Sequence, residues 1–320
     1  MALMPNKILV IVGPTASGKS ALAVLIAKKF DGEIISADSR QVYKGLNVGT
    51  AKITHKEMNG VRHHLLNVSD SKKQFGVVDY VERAGKAIVE INKRGKLPIV
   101  VGGTGFYVQA LVDGVIFPDV RPNLDLRKKL RNKSAEELFK ILKKLDPSRA
   151  ENIDIHNTRR LIRSIEMAQA LGKMPKIPNP KATHRPLFIG LTLPKDKLRQ
   201  HINARLSRDL KRGLIRETRK LHANGLSWKR LEEIGLQYRL VSKYLRGFIS
   251  KKEMTEKLKT ELWHYAKRQM TWFKRDKRIR WFDPVEMEAI SNTVENFVSA
   301  GDGGIGPPIA VLETAVIPLN

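Results

Sequence analysis

The chain has no cysteine, which excludes disulfides and thiolate metal sites and is in keeping with a reducing compartment. Long apolar runs are missing too. The first, within "KILVIV" near the N-terminus, is five residues long, too short for a secretory core or a membrane span. We expect no membrane attachment and a cytoplasmic protein. Aromatic residues are scarce at 6%, and acidic residues are few: 32 Asp+Glu face 59 Lys+Arg, a net charge of +27. What is present is a 320-residue chain, 42% hydrophobic with a mean hydropathy of −0.31, enough for one large domain or two modest ones.

The charge is unevenly placed. Residues 1–119 carry 16 basic and 10 acidic side chains, residues 120–282 carry 43 and 16, and residues 283–320 carry none and 6. A basic excess of that size attracts a polyanion through counterion release and long-range steering, so nucleic acid is the leading class of partner.

Three short buried-strand patterns stand out: "KILVIV" (7–12), "GEIISADS" (32–39) and "LPIVVGGTG" (97–105). Between them lie helix-like stretches, "SALAVLIAKKF" with Leu22, Leu25, Ile26 and Lys29 at helical spacing, and "VVDYVERAGKAIVEINKRG". Alternation of this kind builds an α/β fold, a parallel sheet with crossover helices, and ligands bind at the carboxyl ends of its strands. From "FPDVRPN" onward the pattern becomes helical and rich in Lys and Arg, ending at the Pro-rich "KMPKIPNPKATHRP" (173–186). "LFIGLTL" (187–193) reads as a return to the sheet, followed by helices from Lys195 to Arg280. The expected layout is a first core part at 1–119, a basic helical insertion at 120–185, a second core part at 186–283, and an acidic, Gly/Pro-containing tail at 284–320.

Gly13, Gly18, Lys19 and Ser20 complete G-x-x-x-x-G-K-[ST] between a strand and a helix. In such a P-loop, backbone N–H groups wrap phosphate oxygens, the lysine neutralises charge and the serine hydroxyl can ligate Mg²⁺. Kinases, motor ATPases and transferases share it, so the chemistry has to be read elsewhere. "PIVVGG" ends in glycines and Thr104 instead of the acid that a nucleotide hydrolase uses to hold Mg²⁺. Asp38 is the carboxylate at a nearby strand end. It is either a cap within "ADS" or a base beside the phosphate site.

The adjacent His63 and His64 point apart in any regular structure, so packing explains them better than a metal site, which needs three or four convergent ligands. In "TRRLIRSIE", Leu161, Ile165 and Ala168 share one helical face, while Arg159, Arg163 and Glu166 fall on another that would present the arginines outward to phosphate. "ELWHYAKRQMTWFKRDKRIRWF" (261–282) interleaves Trp263, Tyr265, Trp272 and Phe273 with basic residues. Its aromatics suit the core, and Lys267, Arg268, Thr271 and Lys274 can share an exposed face that would suit a nucleic-acid backbone.

Taken in order, "GPTASGKS", "EIISADSRQVYKGLNVGTAK", "RHHL", "LPIVVGGTGFYVQAL", "INARL" and "YAKRQMTWFK" resemble the signature segments of the tRNA dimethylallyltransferases, also called tRNA isopentenyltransferases, across residues 7–283. The resemblance implies a P-loop core with a helical insertion that grips the anticodon stem and loop. It also implies transfer of a dimethylallyl group from its diphosphate to N6 of adenosine 37, with Mg²⁺ as cofactor. By the same resemblance Gly13, Pro14, Thr15, Ala16, Ser17, Gly18, Lys19 and Ser20 hold the diphosphate, Ser20 also facing the metal. Asp38 takes the N6 proton, and Arg205 and Thr104 complete the catalytic set. Asp38, Ser39, Arg40 and Gln41 read the acceptor base, while Arg159, Arg160, Arg163, Tyr238, Arg239, Lys267, Arg268, Gln269, Thr271 and Lys274 touch tRNA. Two segments depart from the family pattern: Gln237 precedes Tyr238 in "EIGLQYRLV", where a Gly-Tyr pair is expected, and Asn157 and Thr158 replace a common Asp-Pro. A monomer is expected. The competing readings are a small-molecule P-loop kinase, a prenyltransferase acting on free AMP, and a non-catalytic nucleic-acid binder.

Overall fold

The computed structural model describes residues 7–118, 120, 122–172 and 184–300. Six strands, β1 (Lys7–Val12), β2 (Gly32–Ser36), β3 (His63–His64), β4 (Leu97–Val101), β5 (Arg185–Leu191) and β6 (Ile279–Phe282), form one sheet in the order β3-β2-β4-β1-β5-β6. Every pairing is parallel. A parallel sheet is covered on both faces, which is why β1 reads as an unbroken apolar run and is buried at all six positions.

Helices α1 (Lys19–Lys29), α2 (His55–Met58), α3 (Val77–Lys93) and α4 (Gly105–Val112) accompany the first four strands. Next come α5 (Leu124–Leu130), α6 (Ala135–Leu145), α7 (Pro147–Glu151) and α8 (Thr158–Leu171), and after β5, α9 (Lys195–Lys211), α10 (Leu214–Ala223), α11 (Trp228–Ile234), α12 (Leu236–Leu245), α13 (Lys251–Phe273) and α14 (Met287–Ser299). The two-residue period of β1 divides the core. Ile8, Val10 and Val12 pack with Tyr80, Ala84 and Ile88 of α3 and with Val108 and Leu111 of α4. Leu9 and Ile11 pack with Leu22, Ala23 and Ile26 of α1 and with Ile290 and Val294 of α14. Each such Val, Leu or Ile side chain contributes about 1.5–3 kcal/mol on burial.

The chain divides into two compact units: among the described residues, 7–114 and 184–300 belong to the first, and residues 115–118, 120 and 122–172 to the second. The second unit has its own core of Leu130, Leu138, Leu142, Leu161 and Ile165. Its helices start at side-chain caps: Asn123 accepts from the Leu126 N–H, Ser134 from Glu137 and Asn157 from Arg160.

Several boundaries differ from the sequence reading. Leu25 is 54% exposed, because α1 buries Val24 and Ala27 instead. Residues 279–282 are a strand, β6, and do not continue the helices up to Arg280: pairing with β5 decides their conformation. The segment from 284, read as a tail, contains α14, whose Ile290 and Val294 are fully buried. The strand expected at 187–193 runs from Arg185 to Leu191. Residues 173–183 and 301–320, the Pro-rich stretch and the end of the expected tail, lie outside the described residues.

Candidate active site

Three loops leave the carboxyl ends of β1, β2 and β4 and meet. The first is the phosphate loop. Gly13 has a φ of +143°, and a Cβ there would stand 2.6 Å from the Leu191 carbonyl oxygen, so only glycine lets the loop lie against the end of β5. Ala16 at +64° and Gly18 at +90° add further left-handed turns before α1 begins at Lys19. No acidic residue lies in the first turn of α1 and no side chain caps it, so its N–H groups face the loop as anion donors.

Lys19 donates to the Pro14 carbonyl at 2.6 Å. Burial and the nearby positive charge of Arg205 pull its pKa down to about 7, against the opposing charge of Asp38. Arg205, on α9, donates from Nη1 to Thr15 Oγ1 at 2.8 Å, and its Nε lies 3.7 Å from Oδ2 of buried Asp209. Burial lowers the Arg205 pKa, with Asp209 and Asp38 opposing. Burial raises the Asp209 pKa, opposed by Arg205 and by a hydrogen bond from Gln237.

The second loop carries Asp38. Its Oδ1 accepts the backbone N–H groups of Arg40 at 2.8 Å and Gln41 at 3.3 Å, so the carboxylate closes a turn and is oriented by it, with Oδ2 left over. The capping and functional readings of Asp38 are therefore compatible. Its negative charge acts to raise the pKa of Lys19 and Arg205, against their burial, and of Lys52, Tyr107 and Tyr265.

In the third loop Thr104 bridges to the second: its N–H donates to Ala37 O at 3.2 Å and its Oγ1 accepts from the Ser39 N–H at 3.0 Å. The glycines around it allow close approach. A Cβ on Gly102 would lie 2.1 Å from Ala37 O, and one on Gly105 2.1 Å from Trp272.

The structure brings Asp38, Thr104, Arg205 and the loop residues together and distributes the expected tRNA contacts differently. Lys267, Arg268 and Thr271 share the exposed face of α13, Lys274 at its C-cap is exposed beside them, and Arg40 and Arg159 are exposed. Gln41 braces its own loop, accepting from Ser36 Oγ at 3.2 Å and donating to Thr50 O at 3.2 Å. Arg163 is only part-exposed: it pairs with Glu166 at 3.3 Å and donates to Val120 O at 2.8 Å. Glu166 is buried, only 2% exposed, gripped by Arg127 through two 2.7 Å bonds, and so does not lie on the solvent face assigned to it from spacing. Arg160 is half-buried. Tyr238 is 1% exposed and donates to Glu217 at 2.7 Å, so it belongs to the core and offers no surface to tRNA, while Arg239 is exposed enough to pair with Glu261 at 3.5 Å. Gln269 is buried as well, and both ends of its amide are bonded inside the chain.

Sequence reading missed a second set of polar residues behind the site. Glu217 accepts the N–H groups of Asn47, Val48 and Gly49 at 2.8–3.0 Å. Buried Lys52 donates to Tyr43 O at 2.8 Å and Asn67 Oδ1 at 2.6 Å, and burial lowers its pKa to about 8. The adjacent histidines, expected to serve packing, bond in different directions: His64 pairs with buried Glu33 at 2.7 Å, while His63 Nδ1 lies 2.9 Å from Val61 O. Among the described residues no three His, Cys, Asp or Glu side chains gather as a metal site, and no helix is long and apolar enough to cross a membrane.

The family model for IPP transferase matches residues 41–276. The chain belongs to the IPP transferase family. A tRNA dimethylallyltransferase of Anoxybacillus flavithermus is 40% identical over 285 residues, 88% of this chain and 91% of that one. One from Acetivibrio thermocellus is 39% identical over 91% of this chain and 96% of that one. The crystal structure of the tRNA isopentenylpyrophosphate transferase of Bacillus halodurans superposes with a TM-score of 0.69 at 37% identity, covering 91% of this chain and 96% of that one. A eukaryotic dimethylallyltransferase described as acting on tRNA gives a TM-score of 0.79 at 27% identity, covering 92% and 80%. The IPP transferase family thus accounts for the parallel α/β core and marks the chain as a transferase.

Proposed function

We propose that this protein transfers the dimethylallyl group of dimethylallyl diphosphate to N6 of adenosine 37 in the anticodon loop of tRNA and releases diphosphate. The observation that carries the reading is the meeting of a phosphate loop with one oriented carboxylate, Asp38, across an acid-free Gly102–Gly103–Thr104 turn. The names of the relatives and the basic middle of the chain support it.

In the reaction the allylic C–O bond breaks, its electron pair leaving with diphosphate, and a C–N bond forms from N6. The N6 proton passes to Oδ2 of Asp38, the carboxylate oxygen that the turn leaves uncommitted. The loop N–H groups, Lys19 and Arg205 stabilise the charge growing on the leaving group. With a pKa near 7 before ligand binds, Lys19 gains full charge when the anion arrives. A divalent ion, which we assign as Mg²⁺, fits a site offering the Ser20 hydroxyl and the oxygens of the diphosphate, because Mg²⁺ is commonly held by few protein ligands together with phosphate. When bound it supplies further neutralisation of the leaving group. The exposed cations of α13 (Lys267, Arg268 and Lys274), with Arg159 of α8, contact the anticodon stem-loop, and the base leaves its stack to reach Asp38. We place the protein in the cytoplasm as a monomer.

Supplying [¹⁴C]dimethylallyl diphosphate with either an unmodified anticodon stem-loop or AMP tests the reading. We expect label on the stem-loop adenosine. Equal or better labelling of AMP would contradict it.

A further inference from the structure

Gln269 sits on α13 between two loops that belong to different halves of the reaction. Its Oε1 accepts the N–H of Thr15 in the phosphate loop at 2.8 Å, and its Nε2 donates to the carbonyl of Gly103 at 2.9 Å. The side chain is 6% exposed, so neither bond is shared with bulk water. The two partners fix the amide's orientation, since only the oxygen can face an N–H and only the NH₂ a carbonyl.

The fit is tight from the other side as well. A Cβ on Gly103 would stand 2.1 Å from Nε2, so the amide occupies space that only glycine leaves open. Gly103 immediately precedes Thr104, whose hydroxyl accepts from Ser39 beside the base, Asp38. Thr15, at the other end, also accepts from Arg205. One amide therefore ties the loop that holds the leaving group to the turn that lies against the proton acceptor. Neighbouring Lys267, Arg268 and Thr271 point outward and are exposed, so Gln269 is set apart from them by direction as well as by burial.

We propose that Gln269 is a positioning residue that sets the distance between the diphosphate and Asp38. It acts on the rate of transfer through Thr15 and Gly103 and contributes nothing to RNA affinity. This rests on the prenyl-transfer reading above. The physical basis is that holding two reacting groups in a near-attack geometry carries a large part of the rate, so an ångström of misplacement costs on the order of a hundredfold.

The test uses Gln269→Leu, which removes both bonds at similar volume, and Gly103→Ala, which displaces the amide without changing α13. Single-turnover transfer from labelled dimethylallyl diphosphate to the stem-loop is measured beside the stem-loop Kd from filter binding, with thermal unfolding as a control. Each variant is expected to slow transfer about a hundredfold while the stem-loop Kd moves less than about threefold. The double variant is expected to be no slower than the slower single one, since both act through one amide. A weakened Kd with an unchanged rate would make Gln269 an RNA contact and overturn the proposal, as would multiplicative effects in the double variant. Loss of the folded state in both variants would assign the amide to stability and overturn it too. Wild-type protein that binds the stem-loop but transfers no label would overturn the functional reading itself, a result distinct from all of these.

Discussion

Around the strand ends, Asp38, Thr104, Thr15 and, from α9, Arg205 each have hydrogen-bond partners within the chain: backbone N–H groups for Asp38 and Thr104, the Gln269 amide oxygen for the Thr15 N–H, and the Thr15 hydroxyl for Arg205. On the outer face of α13, Lys267, Arg268 and Lys274 are exposed and form no ion pair with a described residue. The first region is preorganised and has little freedom to adapt. The second is a set of long cationic side chains with freedom to adapt to a phosphate backbone. Chemistry needs fixed distances, whereas phosphate binding needs only charge within reach. Substitutions in the two regions should therefore separate cleanly into effects on rate and effects on affinity.

The sharpest way to break this division is Asp38→Ala. We expect single-turnover transfer to fall by about 10²–10⁴, the usual worth of a positioned general base, with the stem-loop Kd changed less than about threefold. An unchanged rate would remove Asp38 as the base. Next in size is the triple variant Lys267→Ala, Arg268→Ala, Lys274→Ala. It should weaken stem-loop binding by at least about tenfold and flatten the dependence of log Kd on log salt by roughly 0.7–0.9 for each phosphate that is no longer neutralised. The rate at saturating RNA should survive.

Lys19 gives a pH test within the rigid region. It is charged below its pKa of about 7 and loses its proton as pH rises through that value. Affinity for dimethylallyl diphosphate should therefore fall above pH 7, and the fall should be absent in Lys19→Arg, which stays charged. Isothermal titration across pH 6–9 with both proteins checks this. The smallest effect concerns α8. Arg163→Ala should lower the thermal stability of its helical unit by about 1 kcal/mol, because it strips one partner from buried Glu166. Arg159→Ala should leave stability within about 0.5 kcal/mol and weaken RNA binding.

The same contrast explains what could be read from the sequence. The phosphate loop is local: strand, turn and helix follow one another, and Gly13 and Gly18 both adopt a positive φ within it, so the loop and the strand-end position of Asp38 were legible. The outward cations of α13 followed from helical spacing. Gln269, Tyr238 and Glu166 were misplaced because their partners lie far away in sequence: Thr15 is 254 residues from Gln269, and Arg127 is 39 from Glu166. Periodicity shows which face a residue occupies on its own helix but not what covers that face. Strand β6 and helix α14 were hidden for a related reason. Ile279–Phe282 becomes a strand only through β5, and α14 buries Ile290 and Val294 against β5 and α1. The departure at Gln237 is buried in the folded chain, where it acts on Asp209, the carboxylate beside Arg205.

The account's central claim is that the loop around Lys19 grips a leaving group. It is tested most directly by dimethylallyl diphosphate labelled with ¹⁴C in the allyl chain and ³²P in the diphosphate, mixed with the protein and an unmodified anticodon stem-loop. Carbon label on N6 of the loop adenosine, with all phosphorus label recovered as free diphosphate, is the result expected. Phosphorus label on the acceptor, or transfer of a γ-phosphoryl group from ATP in a parallel reaction with no carbon label transferred, would contradict it.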